Sequence, residues 1–167
     1  MNSDSPIQRL LLYVDGSEEC ITAAQYGIAL ARKTGAEVRA VYVVNISLLE
    51  ELVKARIFIK VEEMDYQQDL EQDGKRYLHY IKEMAESKGV TVQTELLKGI
   101  VNKEVIKKIE EWNTDLLVMG ELEEVHSRTD TYHDEAELIA RKAKCSVLIV
   151  KNAAAVERMF ESLEPAG

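Results

Sequence analysis

The chain has 167 residues, enough for one domain that buries roughly 70% of the surface its unfolded chain exposes. Its apolar fraction of 46% and charged fraction of 31% are those of a soluble globular domain, and its net charge of −9 argues against nucleic-acid and anionic-membrane partners. No apolar run approaches the ~18 residues of a membrane span, and the start, MNSDSPIQRLLLYVDG, has neither the basic residues nor the cleavage site of a signal peptide. Cys20 and Cys145 have no metal or redox spacing and read as reduced packing residues of a cytoplasmic protein.

After a flexible start over 1–6, the run IQRLLLYV (7–14) ends almost continuously apolar, as a strand buried on both faces does. Asp15-Gly16-Ser17 turns the chain. Ser17 is a candidate N-cap, and Glu18 and Glu19 occupy a first turn where the helix dipole favours them. Ile21, Ala24, Ile28 and Ala31 recur at helical spacing, and Gly35 suits the left-handed position after the helix. A second strand spans 37–44. Ser47 is then a candidate cap for a short helix to Ala55, and Ile57-Phe58-Ile59 is apolar enough to cover the core or a partner surface.

A long helix is expected over 62–88, with Leu70, Gly74, Tyr77, Leu78, Ile81 and Met84 inward and Gly89 as its stop. His79 reads as a surface residue. VTVQTELL (90–97) is the third strand, and Asn102 is a candidate cap for a helix to Trp112, with Asn113 left-handed at its end. DLLVMG then forms a strand over 116–119, with Gly120 at a sharp turn. A helix over 134–144 and a strand over 147–150 complete a βαβ unit, which implies a parallel pair. The tail, 152–167, carries Val156, Met159, Phe160 and Leu163 at helical spacing. A short helix there would cover the last strand's edge or strengthen a dimer.

Strands alternating with helices predict an α/β domain: an open five-stranded parallel sheet with helices on both faces. In such sheets ligands bind beyond the carboxyl ends of the strands, which directs attention to Asp15 and to the loop after Gly120.

The order LLYVDGSE, AVYVVN, the turn glycine Gly99, DLLVMG and RKAKCSVLIVK over residues 7–151 resembles the universal stress protein family. The resemblance implies a Rossmann-like fold of the adenine nucleotide alpha hydrolase-like kind, strand order 3-2-1-4-5, and a homodimer through the edge strand from Ser146 to Lys151. It also implies a nucleotide pocket. Asp15 would lie by the adenosine or a phosphate-bound metal, Val43, Met119 and Gly120 would offer backbone to the adenine, and His133 and Asp134 would stand at the phosphate loop. Asp15 reads equally as a turn aspartate capping the helix at Gly16. Tyr13 stands where nucleotide-binding members commonly have a small residue or proline, and would narrow the pocket.

The family's phosphate motif is Gly, two residues, Gly, nine residues, Gly, then Ser or Thr. Glycines there let backbone N–H groups reach the phosphates. Here Gly120 keeps the first place, but Glu123 and His133 hold the others, and Asp134 replaces the hydroxyl. Glu121, Glu123, Glu124, Asp130 and Asp134 crowd a site built for anions, with Arg128 and a protonated His133 as partial offsets. A carboxylate ~4 Å from a phosphate charge costs about 4 kcal/mol at an effective dielectric of ~20, so even half of that lowers affinity tenfold or more.

The expectation is a stress-response binding and signalling module with no cofactor, acting through a homodimer and an unidentified protein partner. The alternative is a nucleotide-binding member using ATP or AMP with Mg. His126, Asp130, His133 and Asp134 match no standard metal spacing, so no metal site is expected. No catalytic nucleophile motif is present, which weighs against an enzyme.

Overall fold

The computed structural model describes residues 4–56, 59–122 and 131–167, and side chains from Glu135 onward in the last segment. Five strands, β1 (Arg9–Val14), β2 (Glu37–Asn45), β3 (Val92–Gly99), β4 (Leu116–Gly120) and β5 (Ser146–Val150), form one sheet in the order β3-β2-β1-β4-β5. Every pairing is parallel. Leu11 sits between Arg39 and Leu117, and Leu12 between Ala40 and Val118. The central strand is therefore flanked on both sides, which is why its sequence is apolar at every inner position.

Six helices connect and cover the strands: α1 (Glu18–Thr34), α2 (Ile46–Lys54), α3 (Lys60–Glu86), α4 (Val101–Glu111), α5 (Thr131–Lys142) and α6 (Ala153–Ser162). Alternation along the strands divides the core in two. Leu10, Leu12 and Val14 face α1, α3 and α6, through Ile28, Ile81 and Phe160 among others. Leu11, Tyr13, Val41 and Met119 face α4 and α5, through Val105, Ile109, Trp112 and Ile139. Arg39 reaches over the Trp112 ring at 4.7 Å while bonding Glu95 at 3.0 Å.

Several boundaries follow the expected chemistry. Ser17 Oγ accepts from Cys20 N at 3.2 Å, capping α1. Gly35 (φ 75), Gly89 (φ 75) and Asn113 (φ 52) take the left-handed conformation where their helices stop. Gly74 is needed for a different reason: a Cβ there would stand 2.5 Å from the Tyr42 ring, so α3 lies directly on β2.

Other expectations are corrected. Asn45, not Ser47, caps α2, accepting from Leu48 N at 3.1 Å. Asn102 lies inside α4, whose cap position is Ile100 without a side-chain bond. α3 begins at Lys60 and ends at Glu86, and β3 starts at Val92 because Val90 N is spent on Ala85 O, closing the helix end. α5 runs from Thr131 to Lys142 rather than over 134–144. Ile59 does not cover the core: it precedes α3 with 65% of its surface exposed, its N–H held by Glu62 Oε2 at 3.0 Å. Ile57 and Phe58 lie outside the described residues. α6 does not lie along the β5 edge. It docks on the α1 side of the sheet through Val156 and Phe160, and the tail beyond it bonds the end of α3, where Lys88 Nζ donates to Leu163 O at 2.7 Å.

Candidate functional site

The strand order reverses between β1 and β4, and the carboxyl ends of these two strands part there. A cleft of about 300 Å³ opens at that point, lined from β1 and its turn by Tyr13, Asp15, Gly16 and Ser17, from α1 by Glu19, from β4 by Met119 and Gly120, from the two residues after it, Glu121 and Leu122, and from α5 by Ala136. A second, smaller space of about 30 Å³ lies toward β2, bounded by Tyr13, Asp15, Val43, Val101 and Glu135. Tyr13 and Asp15 border both.

The turn after β1 is closed by its own side chains. Asp15 Oδ1 accepts from Ser17 N at 2.9 Å and from the Ser17 hydroxyl. Ser17 Oγ in turn accepts from Cys20 N. Gly16 supplies the left-handed φ of 82 that the turn requires, and a Cβ there would press on the Tyr77 ring at 3.2 Å. The turn-aspartate role of Asp15 is thus present in the structure. One consequence is electrostatic: Ser17 N and Cys20 N, two of the donors near the start of α1, are already held by Asp15 and Ser17.

The start of α4 is treated the same way. Glu135 Oε2 accepts from Asn102 N at 2.7 Å and from Asn102 Nδ2 at 2.8 Å, placing a carboxylate on that helix N-terminus. Sequence reasoning missed both this role of Glu135 and the place of Glu19 in the cleft wall. The position of Glu19, one helical turn past a strand-end aspartate, was the available signal; Glu135 had none beyond following Asp134.

Gly120 does not turn the chain; it is the last residue of β4, and its φ is not among the positive ones. A Cβ at Gly120 would lie 2.6 Å from the Glu19 carbonyl carbon, so the glycine lets β4 end against the backbone of α1. Met119, at 1% exposure, packs beneath it in the α4–α5 core. Val43 borders the smaller space, as Tyr13 does. His133 and Asp134 belong to the backbone of α5, and their side chains, like residues 123–130 of the loop, lie outside the described residues.

The charge is one-sided. Asp15, Glu19 and Glu121 line the larger space and Asp15 and Glu135 the smaller, and among the described lining residues there is no lysine or arginine. Burial, then the charges of Asp15 and Glu135, push the Tyr13 phenol far above its ordinary value, so its hydroxyl keeps its proton. Among the described residues no three carboxylates, thiols or imidazoles converge as metal ligands, and no helix is long and apolar enough to cross a membrane.

Comparison with known proteins agrees with this architecture. The universal stress protein family model matches residues 6–151. A universal stress protein of Methanocaldococcus jannaschii is 31% identical over 150 residues, covering 90% of this chain and 85% of that one. A universal stress protein family structure from Burkholderia pseudomallei superposes with a TM-score of 0.67 at 22% identity, covering 89% of this chain and 98% of its own. A universal stress protein in complex with cAMP superposes with a TM-score of 0.65 at 20% identity, covering 88% and 99%. By the family match over the whole sheet and the identity to the archaeal relative, the chain belongs to the universal stress protein family.

Proposed function

We propose that this chain is a stress-response binding and signalling module that works in the cytoplasm without tight ATP binding. The observation that carries the reading is the charge and donor pattern of the cleft. Four carboxylates, those of Asp15, Glu19, Glu121 and Glu135, border the two spaces. Three backbone donors near the starts of α1 and α4, those of Ser17, Cys20 and Asn102, are held by the chain's own oxygens. A triphosphate entering there meets repulsion of several kcal/mol and finds these three amides already engaged. Calorimetric titration with Mg-ATP is expected to give no saturable heat below millimolar concentration, and micromolar binding would overturn the reading.

The alternative is a nucleotide-binding module that seats ATP or AMP with magnesium by a divergent loop, using Asp15, Gly120 and the helix at His133. The structural relative in complex with cAMP favours it. AMP and cAMP therefore belong in the same titration.

The proposed signalling unit is a homodimer through β5. This strand sits at the sheet's edge, paired only with β4 among the described residues, and Val147, Leu148 and Ile149 remain half-buried. Such an edge pairs readily with its own copy. Sedimentation is expected to give a dimer at micromolar concentration, shifted to monomer by Ile149→Arg; a clean wild-type monomer would sink this part.

A further inference from the structure

An orphaned carboxylate oxygen lies outside the cleft, at the start of α3. Glu63 is only 8% exposed, yet its Oε2 makes no hydrogen bond with any described residue. A buried carboxylate oxygen without a donor is costly, and such oxygens ordinarily have one. The cation beside it is Lys60 Nζ, 3.4 Å away on a side chain that is 80% exposed. The oxygen therefore faces the rim of the helix, at a place a cation reaches from solvent. The dipole of α3 favours an acid in the first turn, but Glu62 already serves there, accepting from Ile59 N at 3.0 Å.

The surface beside this oxygen is apolar. Val61 and Met64 are 63% and 57% exposed, and Ile59 just before the helix is open as well. Met64 follows Val61 by three residues and Lys60 by four, so the three share one strip of α3. Four of the seven exposed large apolar or aromatic side chains among the described residues fall between Ile59 and Tyr66, which makes a patch rather than a scatter. The surroundings are acidic: from Lys60 to Asp73 the helix carries six carboxylates and one lysine. That charge repels an anionic membrane and a second copy of the same surface, and it attracts a cationic partner.

We propose that the start of α3 docks a basic amphipathic helix of a partner protein. The partner's apolar face covers Ile59, Val61 and Met64, and one of its lysines or arginines displaces Lys60 and donates to Glu63 Oε2. This deepens the reading of the chain as a partner-binding module, resting on that reading and not on the rejection of ATP.

The test is fluorescence anisotropy with the full chain and a labelled synthetic amphipathic helix of leucine and lysine, at physiological ionic strength. Controls are the same helix with glutamate for lysine, and polylysine, which has the charge without the apolar face. Saturable binding is expected with the leucine–lysine helix, weaker binding with polylysine and none with the glutamate helix. Glu63→Gln should weaken binding about tenfold while the urea midpoint stays level or rises, because a buried charge is gone. Met64→Ser should weaken it about fivefold, and Tyr80→Ser, at an exposed aromatic farther along α3, should leave it unchanged. Lys60→Gln should tighten it by freeing the carboxylate, and by more than Lys82→Gln does at an exposed site elsewhere on the helix. Binding that no variant at the start of α3 alters overturns the proposal. So does a Glu63→Gln chain that binds like the wild type, the result a water bonded to Glu63 would give, or one with a lowered midpoint, which would mean that the carboxylate already has a structural partner. Self-association abolished by Met64→Ser would give the surface to a second copy and overturn it too. Micromolar Mg-ATP binding with the helix still bound overturns the argument from the cleft and leaves this surface standing, whereas silence toward both overturns only the inference.

Discussion

One oxygen of Glu135, on α5, holds both the backbone N–H and the side-chain amide of Asn102, in the first turn of α4, at 2.7 and 2.8 Å. This contact ties together the two helices that cover one face of the sheet. Glu135→Ala leaves a half-buried helix-start donor without its partner and is expected to cost about 2–3 kcal/mol in urea unfolding. Glu135→Gln keeps an acceptor and should cost less than half as much. Equal losses for the two variants would show that the charge, not the acceptor, carries the contact.

Gly120 abuts backbone, and backbone cannot swing aside. Gly120→Ala is expected to cost about 1–3 kcal/mol, since its Cβ would meet the Glu19 carbonyl carbon at 2.6 Å. Gly35→Ala has open space around it and carries only the strain of φ 75, about 1 kcal/mol. The order of the two urea midpoints is the measurement; Gly35→Ala as the more damaging variant would contradict the close-approach explanation.

Phe160 is buried against the α1 side of the core and lies under the Lys88 ammonium, 5.2 Å from the ring centroid. Phe160→Ala should destabilise the chain by about 3–5 kcal/mol. A loss below about 1 kcal/mol would mean that α6 is a detachable appendage rather than part of the domain.

The two thiols should differ in reactivity. Burial, then the Asp15 charge, pushes the Cys20 thiol up from 9.0 to about 11, while Cys145 is half-buried and raised by burial as well. Alkylation at pH 8 should therefore modify Cys145 first, with Cys20 following only as the chain opens. The linkage has a definite sign. The unfolded chain releases the Cys20 proton near 9.0 and the folded chain only near 11, so stability is whole below pH 9 and falls between pH 9 and 11, by up to about 1.4 kcal/mol per pH unit. Cys20→Ser should flatten that decline in pH-dependent urea midpoints.

The fold was readable because its signals are local. A continuous apolar run such as Leu10–Val14 reads as a strand enclosed on both faces, and residues such as Ser17, Gly35 and Asn113 declare the helix ends through their own backbone and hydrogen-bonding chemistry. Where two residues compete for one role, local signals fail. Asn45 and Ser47 both suit a cap, and only the direction in which β2 delivers the chain selects Asn45. Asn102 looked like a cap and became a helix residue because a carboxylate from another element serves its N–H.

The same division runs through the cleft. The chain's order of strands and helices determined that the ends of β1 and β4 would part and that Asp15, Met119 and Gly120 would stand near one another, since each terminates or follows a strand of the central pair. Only tertiary structure decided that Glu19 and Glu135 would join them, that Tyr13 would border two spaces at once, and that Gly120 would serve packing. Periodicity and capping are written within a few neighbouring residues, whereas a field, a cavity wall or a close backbone approach exists only when side chains from distant segments arrive at the same place.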